Sequence, residues 1–264
     1  KYGNLFDMYL KITGIDAYKE PMKISPAAHF SMGGLWVDYE LMTTVDGLYA
    51  VGEANYSDHG ANRLGANSLL QASIDGYFIL PNTINNYLAD ELNSEMPTLE
   101  HEEFLSTEIE VRTKIEKIMA IKGSKTVDDL HRELGAVMWK ECAMSRNRIG
   151  LEDAIKKIRE IKESFWCDVN ITGSDKELNP ELEKAMRLSD FIELAELMCV
   201  DALDREESCG AHFREEYQST DGEAVRNDED YSYVSAWEYN KGDFKLHKEK
   251  LEFEYVKPTV RSYK

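Results

Sequence analysis

Along the second half of the chain apolar residues recur every three or four positions, a period that predicts long amphipathic helices. Phe104, Leu105, Ile109, Ile115, Ile118 and Met119 form one such stripe, ending at Gly123. Thr126 then caps a second helix whose face is Leu130, Leu134, Val137 and Met138. Leu151, Ile155, Ile158 and Phe165 mark a third, and 182–203, after Pro180, a fourth. Together they predict a helical bundle of about a hundred residues beginning after Pro97.

The first hundred residues pattern differently. Residues 1–20 read as an amphipathic helix with Leu5, Met8, Tyr9 and Ile12 on one stripe, ending at Thr13 and Gly14. Pro21 and Pro26 bracket an extended crossing segment, because proline biases its predecessor away from helix. Leu35 to Asp38 and Leu48 to Val51 read as short strands, the latter buried. Ser68 to Leu80 reads as a helix apolar on all sides and hence buried, which Pro81 ends or kinks before 84–92 continues it. In the tail, Tyr231, Tyr233, Ser235, Trp237 and Tyr239 alternate, as do Leu251, Phe253 and Tyr255, predicting a β-hairpin or small sheet, with the acidic run 221–230 before it as a solvated loop. No internal repeat is evident.

Composition narrows the function classes. The 264 residues carry 31 Lys plus Arg against 50 Asp plus Glu, a net charge of −19, which argues against a nucleic-acid partner or a broad anionic-membrane surface. Apolar runs fall short of the roughly 18 residues that span a bilayer, and the start lacks a signal-peptide pattern, so the chain reads as soluble and cytosolic. Cys142, Cys167, Cys199 and Cys209 form no C-x-x-C pair, so they are expected as free thiols and no metal site is expected. The chain starts without Met and runs straight into helical periodicity, the mark of an excised piece of a longer protein.

The chemistry concentrates between Gly47 and Leu69, where glycine-rich turns, Glu53, His59 and Arg63 lie between an apolar strand and an apolar helix opening near Asn67 and Ser68. A sheet delivers ligand loops at such strand-to-helix junctions. Gly60 and Gly65 have the spacing of a triphosphate-binding loop, but Ala66 and Asn67 stand where Lys and Ser or Thr are required, which excludes that reading. Upstream, His29 precedes Gly33 and Gly34, a pair that permits a sharp turn or a close backbone approach to a ligand.

Three motifs in order, Pro26-x-x-His29-x-x-Met32-Gly33-Gly34, Gly47 to Glu53, and His59-Gly60-Ala61-Asn62-Arg63-Leu64-Gly65-Ala66-Asn67-Ser68-Leu69, resemble the flavoprotein subunit of succinate dehydrogenase and fumarate reductase. The resemblance continues through Met138-Trp139 and Cys142 to Asn147 and into Ser208 to Glu215, where Cys209 stands in place of the family's usual Arg, and weakens after about residue 220. It implies an α+β, multi-domain fold: 1–22 as the end of a capping domain, 23–96 as the C-terminal segment of an FAD-binding α/β domain with the substrate clamp, 97–207 as the helical bundle, and 208–264 as a small β-containing C-terminal domain.

By the same resemblance, His29 and Arg63 hold succinate or fumarate against the flavin. A guanidinium fork pairs a carboxylate bidentately and an imidazole takes the other oxygens. Glu53 and Gly52 are expected at the FAD ribose or ribityl hydroxyls, and Asn67, Ser68 and Leu69 at the helix N-terminus facing the flavin pyrimidine edge. His59 is expected to order the loop or lie near the site. His101, His131 and His247 are expected as exposed bystanders, and His212 has no assigned role. The family's dinucleotide fingerprint, its flavin-linking His and its proton-shuttling Arg belong to an N-terminal portion absent from this sequence. The resemblance therefore implies a fragment that neither turns over nor binds FAD firmly by itself. In the assembled enzyme electrons pass to an iron-sulfur subunit and, through a membrane cytochrome b subunit, to quinone, with the subunit peripheral on the inner face of the cytoplasmic membrane. The alternatives are an L-aspartate oxidase, which shares the His and Asn-Arg motifs, and a module that only docks a partner subunit. Leu64-Gly65-Ala66 and the long bundle favour the succinate and fumarate family.

Overall fold

The computed structural model describes residues 3–25, 27–56, 59–240 and 242–259; Pro26, expected to bracket the crossing segment, lies outside them. The chain runs α1 (Gly3–Thr13), a 3-10 turn (Gly52–Ala54), α2 (Asn67–Ile74), a π turn (Asp75–Ile79), α3 (Leu80–Tyr87), α4 (Glu102–Ala120), β1 (Lys125–Thr126), α5 (Val127–Glu141), α6 (Arg148–Asp168), β2 (Val169–Asn170), α7 (Pro180–Asp204), α8 (Asp228–Tyr231), β3 (Tyr233–Asn240) and β4 (Asp243–Lys250). The architecture is mixed α+β, helices with two small two-stranded sheets.

The bundle holds the main core. Leu130 and Leu134 of α5, Leu151, Ile158 and Phe165 of α6, and Leu188 and Ile192 of α7 interlock there, nearly all without solvent contact. Each such burial contributes roughly 1.5–3 kcal/mol. The helices start where short polar side chains satisfy their orphan amides. Thr126 Oγ1 accepts from the Asp129 amide at 3.1 Å, Asn147 Oδ1 from Gly150 at 2.8 Å, and Asn179 Oδ1 from Glu181 and Leu182, with Pro180 opening α7. The short parallel sheet β1–β2 ties the start of α5 to the end of α6. The expected apolar face of α4 holds only in its last turns. Ile118 is buried, Lys114 pairs with Asp190 and Lys117 lies over the Trp166 ring, whereas Phe104, Leu105 and Ile109 are exposed because nothing described packs on the first turns.

The first hundred residues depart further from the pattern. α1 stops at Thr13, whose hydroxyl turns back to the Tyr9 carbonyl, rather than running on toward residue 20. The two expected strands shrink to single bridges, Leu35 beside Asn55 and Met42 beside Tyr49, and Leu48 is half exposed, since no neighbouring strand extends either ladder. The expected helix from Ser68 to Leu80 forms, but as α2 followed by a π turn, and it is not buried: Leu69 is 76% exposed and Phe78 70%. The π turn shifts the hydrogen-bond pattern, with the Leu80 amide bonded to the Asp75 carbonyl, so the chain passes Pro81 at the second position of α3 without a break. α3 ends at Tyr87, short of 92. The only buried apolar cluster of this region among the described residues is Val37, Leu41 and Ala50.

In the tail, β3 falls where alternation places it, but its partner is 243–250 rather than 251–255. Asn240 pairs directly with Asp243, preceded by Gly242 at a φ of 101°, so the returning strand uses Phe244 and Leu246 and its eight residues are exhausted at Lys250. The acidic run is not wholly loop: Asn227 caps the short helix α8.

Two arginines lock this C-terminal part onto the bundle. Arg146 Nε donates to the carbonyls of Cys142 and Ala143 at the end of α5. Arg214, with no solvent exposure, donates from Nη1 to Ala202 and Leu203 in the last turn of α7, where the helix dipole favours a cation, and from Nε to Glu216.

Candidate functional site

The loop that reads as the site is organised around a buried polar knot. The Asp75 carboxylate accepts from the Gly52 amide at 2.9 Å and from Asn55 Nδ2 at 3.3 Å, and Gln71 Nε2 donates to Asn55 Oδ1 at 3.1 Å. These side chains are all under a tenth exposed. A carboxylate in so dry a place is held by the donors around it. The knot fixes the 3-10 turn at Gly52 against α2 and the π turn.

Gly34 packs against the protein's own backbone. A Cβ there would meet the Asn55 carbonyl oxygen at 2.4 Å and that of Ala54 at 2.6 Å, so the glycine admits the Leu35–Asn55 bridge and not a ligand. The segment from His29 to Leu35 is thereby seated beside residues 53–56. Glu53 reinforces the seating, its Oε1 accepting from the Ser31 amide at 2.7 Å.

Arg63 is half-buried above the Phe30 ring, its guanidinium carbon 4.8 Å from the ring centre, and Phe30 meets the His59 ring edge-on at 5.4 Å. The Arg63 amide donates to Met32 Sδ at 3.1 Å and Nη1 reaches the Leu64 carbonyl at 3.2 Å. Its Nε is buried without an acceptor among the described residues, an unmet charged donor that costs stability unless an anion completes it. His29, one residue before Phe30, is exposed, and among the described residues no hydrogen bond or ion pair joins it to Arg63. His59 belongs to this aromatic stack through its edge-on contact with Phe30. Phe30 was not singled out from the sequence; its signal is an aromatic residue between the candidate His29 and the glycine pair.

α2 begins just beyond Arg63. Its N-cap, Ala66, has a left-handed φ of 69° and no polar side chain to offer; the Asn67 amide turns back to the Leu64 carbonyl at 3.2 Å, and among the described residues no side chain caps the first turn. A strained backbone next to a bare helix N-terminus is an arrangement that attracts negative charge. Ser68 is partly buried and Leu69 exposed. A cavity of about 450 Å³ lies elsewhere, lined by Arg148, Val200, Leu203, Asp204, Glu206 and Trp237 at the end of α7.

Against known families, the profile of the fumarate reductase flavoprotein C-terminal family matches residues 131–263, and that of the FAD-binding domain family matches residues 4–69. The chain belongs to the fumarate reductase flavoprotein family. The match spans half the chain and takes in α5 to β4, while the FAD-binding match takes in His29, Gly52, Glu53 and Arg63. The succinate dehydrogenase flavoprotein subunit of Bacillus subtilis is 37% identical over 231 residues, which are 88% of this chain and 38% of that protein. An L-aspartate oxidase of Synechocystis is 30% identical over 76% of this chain and 36% of its own length. The flavoprotein chain of a mutant E. coli quinol fumarate reductase superposes with a TM-score of 0.83 at 26% identity, covering 97% of this chain and 42% of that one. The chain thus spans about two fifths of the length of the relatives it matches. Of the residues expected at the site, Gly52 and α2 meet at the Asp75 knot, Glu53 ties down Ser31 and Arg63 lies over Phe30, while His29 is exposed and no described contact joins it to them.

Proposed function

We propose that this chain supplies one wall of the active site of a flavoprotein that interconverts succinate and fumarate, with Arg63 and His29 holding the dicarboxylate. The observation that carries the reading is Arg63 itself: a guanidinium fixed over Phe30, with a buried Nε that has no acceptor among the described residues, one turn before a helix that no described side chain caps. A carboxylate fits that donor and the α2 amides together, and a bidentate arginine contact sets both distance and orientation. His29, exposed at the rim, is free to take the second carboxylate.

The residues fit part of an FAD cradle. We assign Glu53, whose second carboxylate oxygen is left over from its bond to Ser31, and the neighbouring Gly52 to the cofactor's hydroxyls, and Asn67, Ser68 and Leu69 at the start of α2 to its electron-rich edge. FAD, when bound, takes up or supplies the hydride; this chain's residues clamp the substrate and, by drawing charge toward Arg63, favour the carboxylate adjacent to the reacting carbons. The exposed apolar residues Leu69, Leu70, Tyr77 and Phe78 fit a face that the remainder of an FAD domain covers. The relatives are named as subunits, and an exposed stripe of Phe191, Leu194 and Met198 on α7 supports a partner there, which we assign to an iron-sulfur subunit linked to a membrane cytochrome b subunit at the inner membrane face. No described helix is long and apolar enough to cross a membrane.

The test is Arg63→Gln in a flavoprotein that joins this chain to a complete FAD domain. Loss of one charge-assisted clamp is expected to lower kcat/KM for succinate or fumarate by about 100-fold, with the flavin absorption spectrum retained. Unchanged kcat/KM overturns the reading. The L-aspartate oxidase relative makes L-aspartate the comparison substrate, and faster turnover of L-aspartate than of succinate would favour that alternative.

A further inference from the structure

The loop that carries Arg63 is touched by the far end of the chain. The Ala211 amide donates to the Ala61 carbonyl at 2.8 Å. Beside it Gly210, at a φ of 59°, lies so close that a Cβ would stand 2.3 Å from the Ala61 oxygen and 2.6 Å from its carbonyl carbon. The turn bearing these two residues is rigid. It is closed in both directions by backbone bonds between Cys209 and His212, 2.8 and 3.0 Å long. The His212 ring is clamped in turn: Nε2 lies 3.0 Å from the Arg205 carbonyl and must donate to it, which leaves Nδ1 to accept from Arg146 Nη1 at 3.0 Å. A second tie, Trp36 Nε1 to Glu249 at 2.9 Å, runs from β4 to the strand-like segment after Gly34.

We propose that the Cys209–His212 turn is a strut that positions Arg63, with Gly210 and Ala211 as positioning residues for the dicarboxylate clamp. The path is short and stiff: α5 and α7 hold Arg146 and Arg205, these hold His212, the turn holds Ala61, and Ala61 is two residues from Arg63. Gly210 is required twice over, by its left-handed backbone and by the contact, because any side chain there pushes the Ala61 peptide away. Displacement of about 1 Å at a clamp is enough to lower turnover strongly. The proposal rests on the reading of Arg63 as the substrate's anion contact.

Hydrogen exchange on the full chain tests the strut directly. Gly210→Ala is expected to speed exchange in peptides covering 59–66 about tenfold while peptides of α6 stay protected. Gly222→Ala, also at a left-handed glycine of the C-terminal part but with only the Gln218 side chain within 4 Å, is expected to leave 59–66 unchanged. Ala211→Pro removes the donor and leaves Gly210 in place, and the same loosening is expected by this independent route should Gly210→Ala disturb α6. Unchanged exchange at 59–66 in both strut variants, or an equal rise in Gly222→Ala, overturns the strut. In a flavoprotein that joins this chain to a complete FAD domain, Gly210→Ala is expected to raise the KM for succinate about tenfold with flavin absorption intact; a loosened loop with unaltered KM overturns the positioning role. Arg63→Gln fails separately: if it leaves the kinetics untouched, the reading of the site is wrong, whereas the exchange result still decides whether the strut exists.

Discussion

The bundle and the site segment have similar apolar content by eye and opposite fates in the fold. In α5, α6 and α7 the apolar stripes face one another and close a core around Phe165, Leu151, Ile158 and Leu188. Between Gly47 and Tyr87 most apolar side chains of α2 and the π turn point outward, Ile79 alone meeting the small Val37–Leu41–Ala50 cluster among the described residues, and the larger buried side chains are polar: Asp75, Asn55 and Gln71. The difference teaches that one region is held by its own hydrophobic packing and the other by a hydrogen-bonded knot plus ties to distant chain. Polar knots specify a conformation but stabilise it little by themselves.

The strongest way to break that comparison is to cut the bundle core. Phe165→Ala removes a side chain with no solvent exposure, and the lost transfer energy plus the cavity is expected to cost about 3–5 kcal/mol. Urea unfolding followed by helical circular dichroism measures it as a lowered midpoint. A cost below about 1 kcal/mol would mean that the bundle is not the region's stable core.

Next in size is the junction between bundle and tail. Burial pulls the His212 imidazole from its ordinary 6.5 down to about 4, against the hydrogen bond to the Arg205 carbonyl and with help from the charges of Arg146, Arg205 and Arg214. The folded state thus keeps this histidine neutral where the unfolded chain binds a proton. Its linkage contribution is fully present above pH 6.5 and is lost as pH falls from 6.5 to 4, by on the order of 3 kcal/mol. Glu216 and Asp228, whose carboxyls are held below the usual range by their hydrogen bonds and arginine partners, add to acid sensitivity at lower pH. Comparing His212→Gln with the parent chain isolates the histidine: stability of the variant is expected to be flatter between pH 6.5 and 4. An identical slope in both chains would show that His212 is not the titrating group.

The contrast between the regions also explains what could be read from residues alone. Thr126 is legible as a cap because a hydroxyl stands directly before a run of period 3.6, a local signal, and the stripes of α5 to α7 are local too. The Asp75 knot is not, since it joins residues 16 or more positions apart and its acid lies inside a stretch that reads as largely apolar. The same holds for the stack of Phe30, His59 and Arg63 and for the Gly210 contact with Ala61, which follow only from tertiary placement. The alternation at 251–255 is as regular as that at 243–250, and only the pairing of Asn240 with Asp243 chooses between them. The expected burial of α2 fails for a different reason. Periodicity reports that an apolar face wants a partner, and it is silent on whether the partner belongs to the same 264 residues.

The smallest expected effect therefore sharpens the comparison most. Phe78→Ala is the same substitution as Phe165→Ala, made on a ring that is 70% exposed. With little area to lose and alanine the better helix former, the stability of this chain is expected to change by no more than about 0.5 kcal/mol. If the face of Leu69, Leu70, Tyr77 and Phe78 is covered by the rest of an FAD domain, the same substitution in a flavoprotein that includes that domain is expected to cost several times more, as loss of a buried aromatic does. Thermal unfolding of the two proteins side by side makes the measurement. Equal small costs in both would show that the apolar face of α2 remains open to solvent even when the flavin domain is whole, and that its exposure here is a property of the fold.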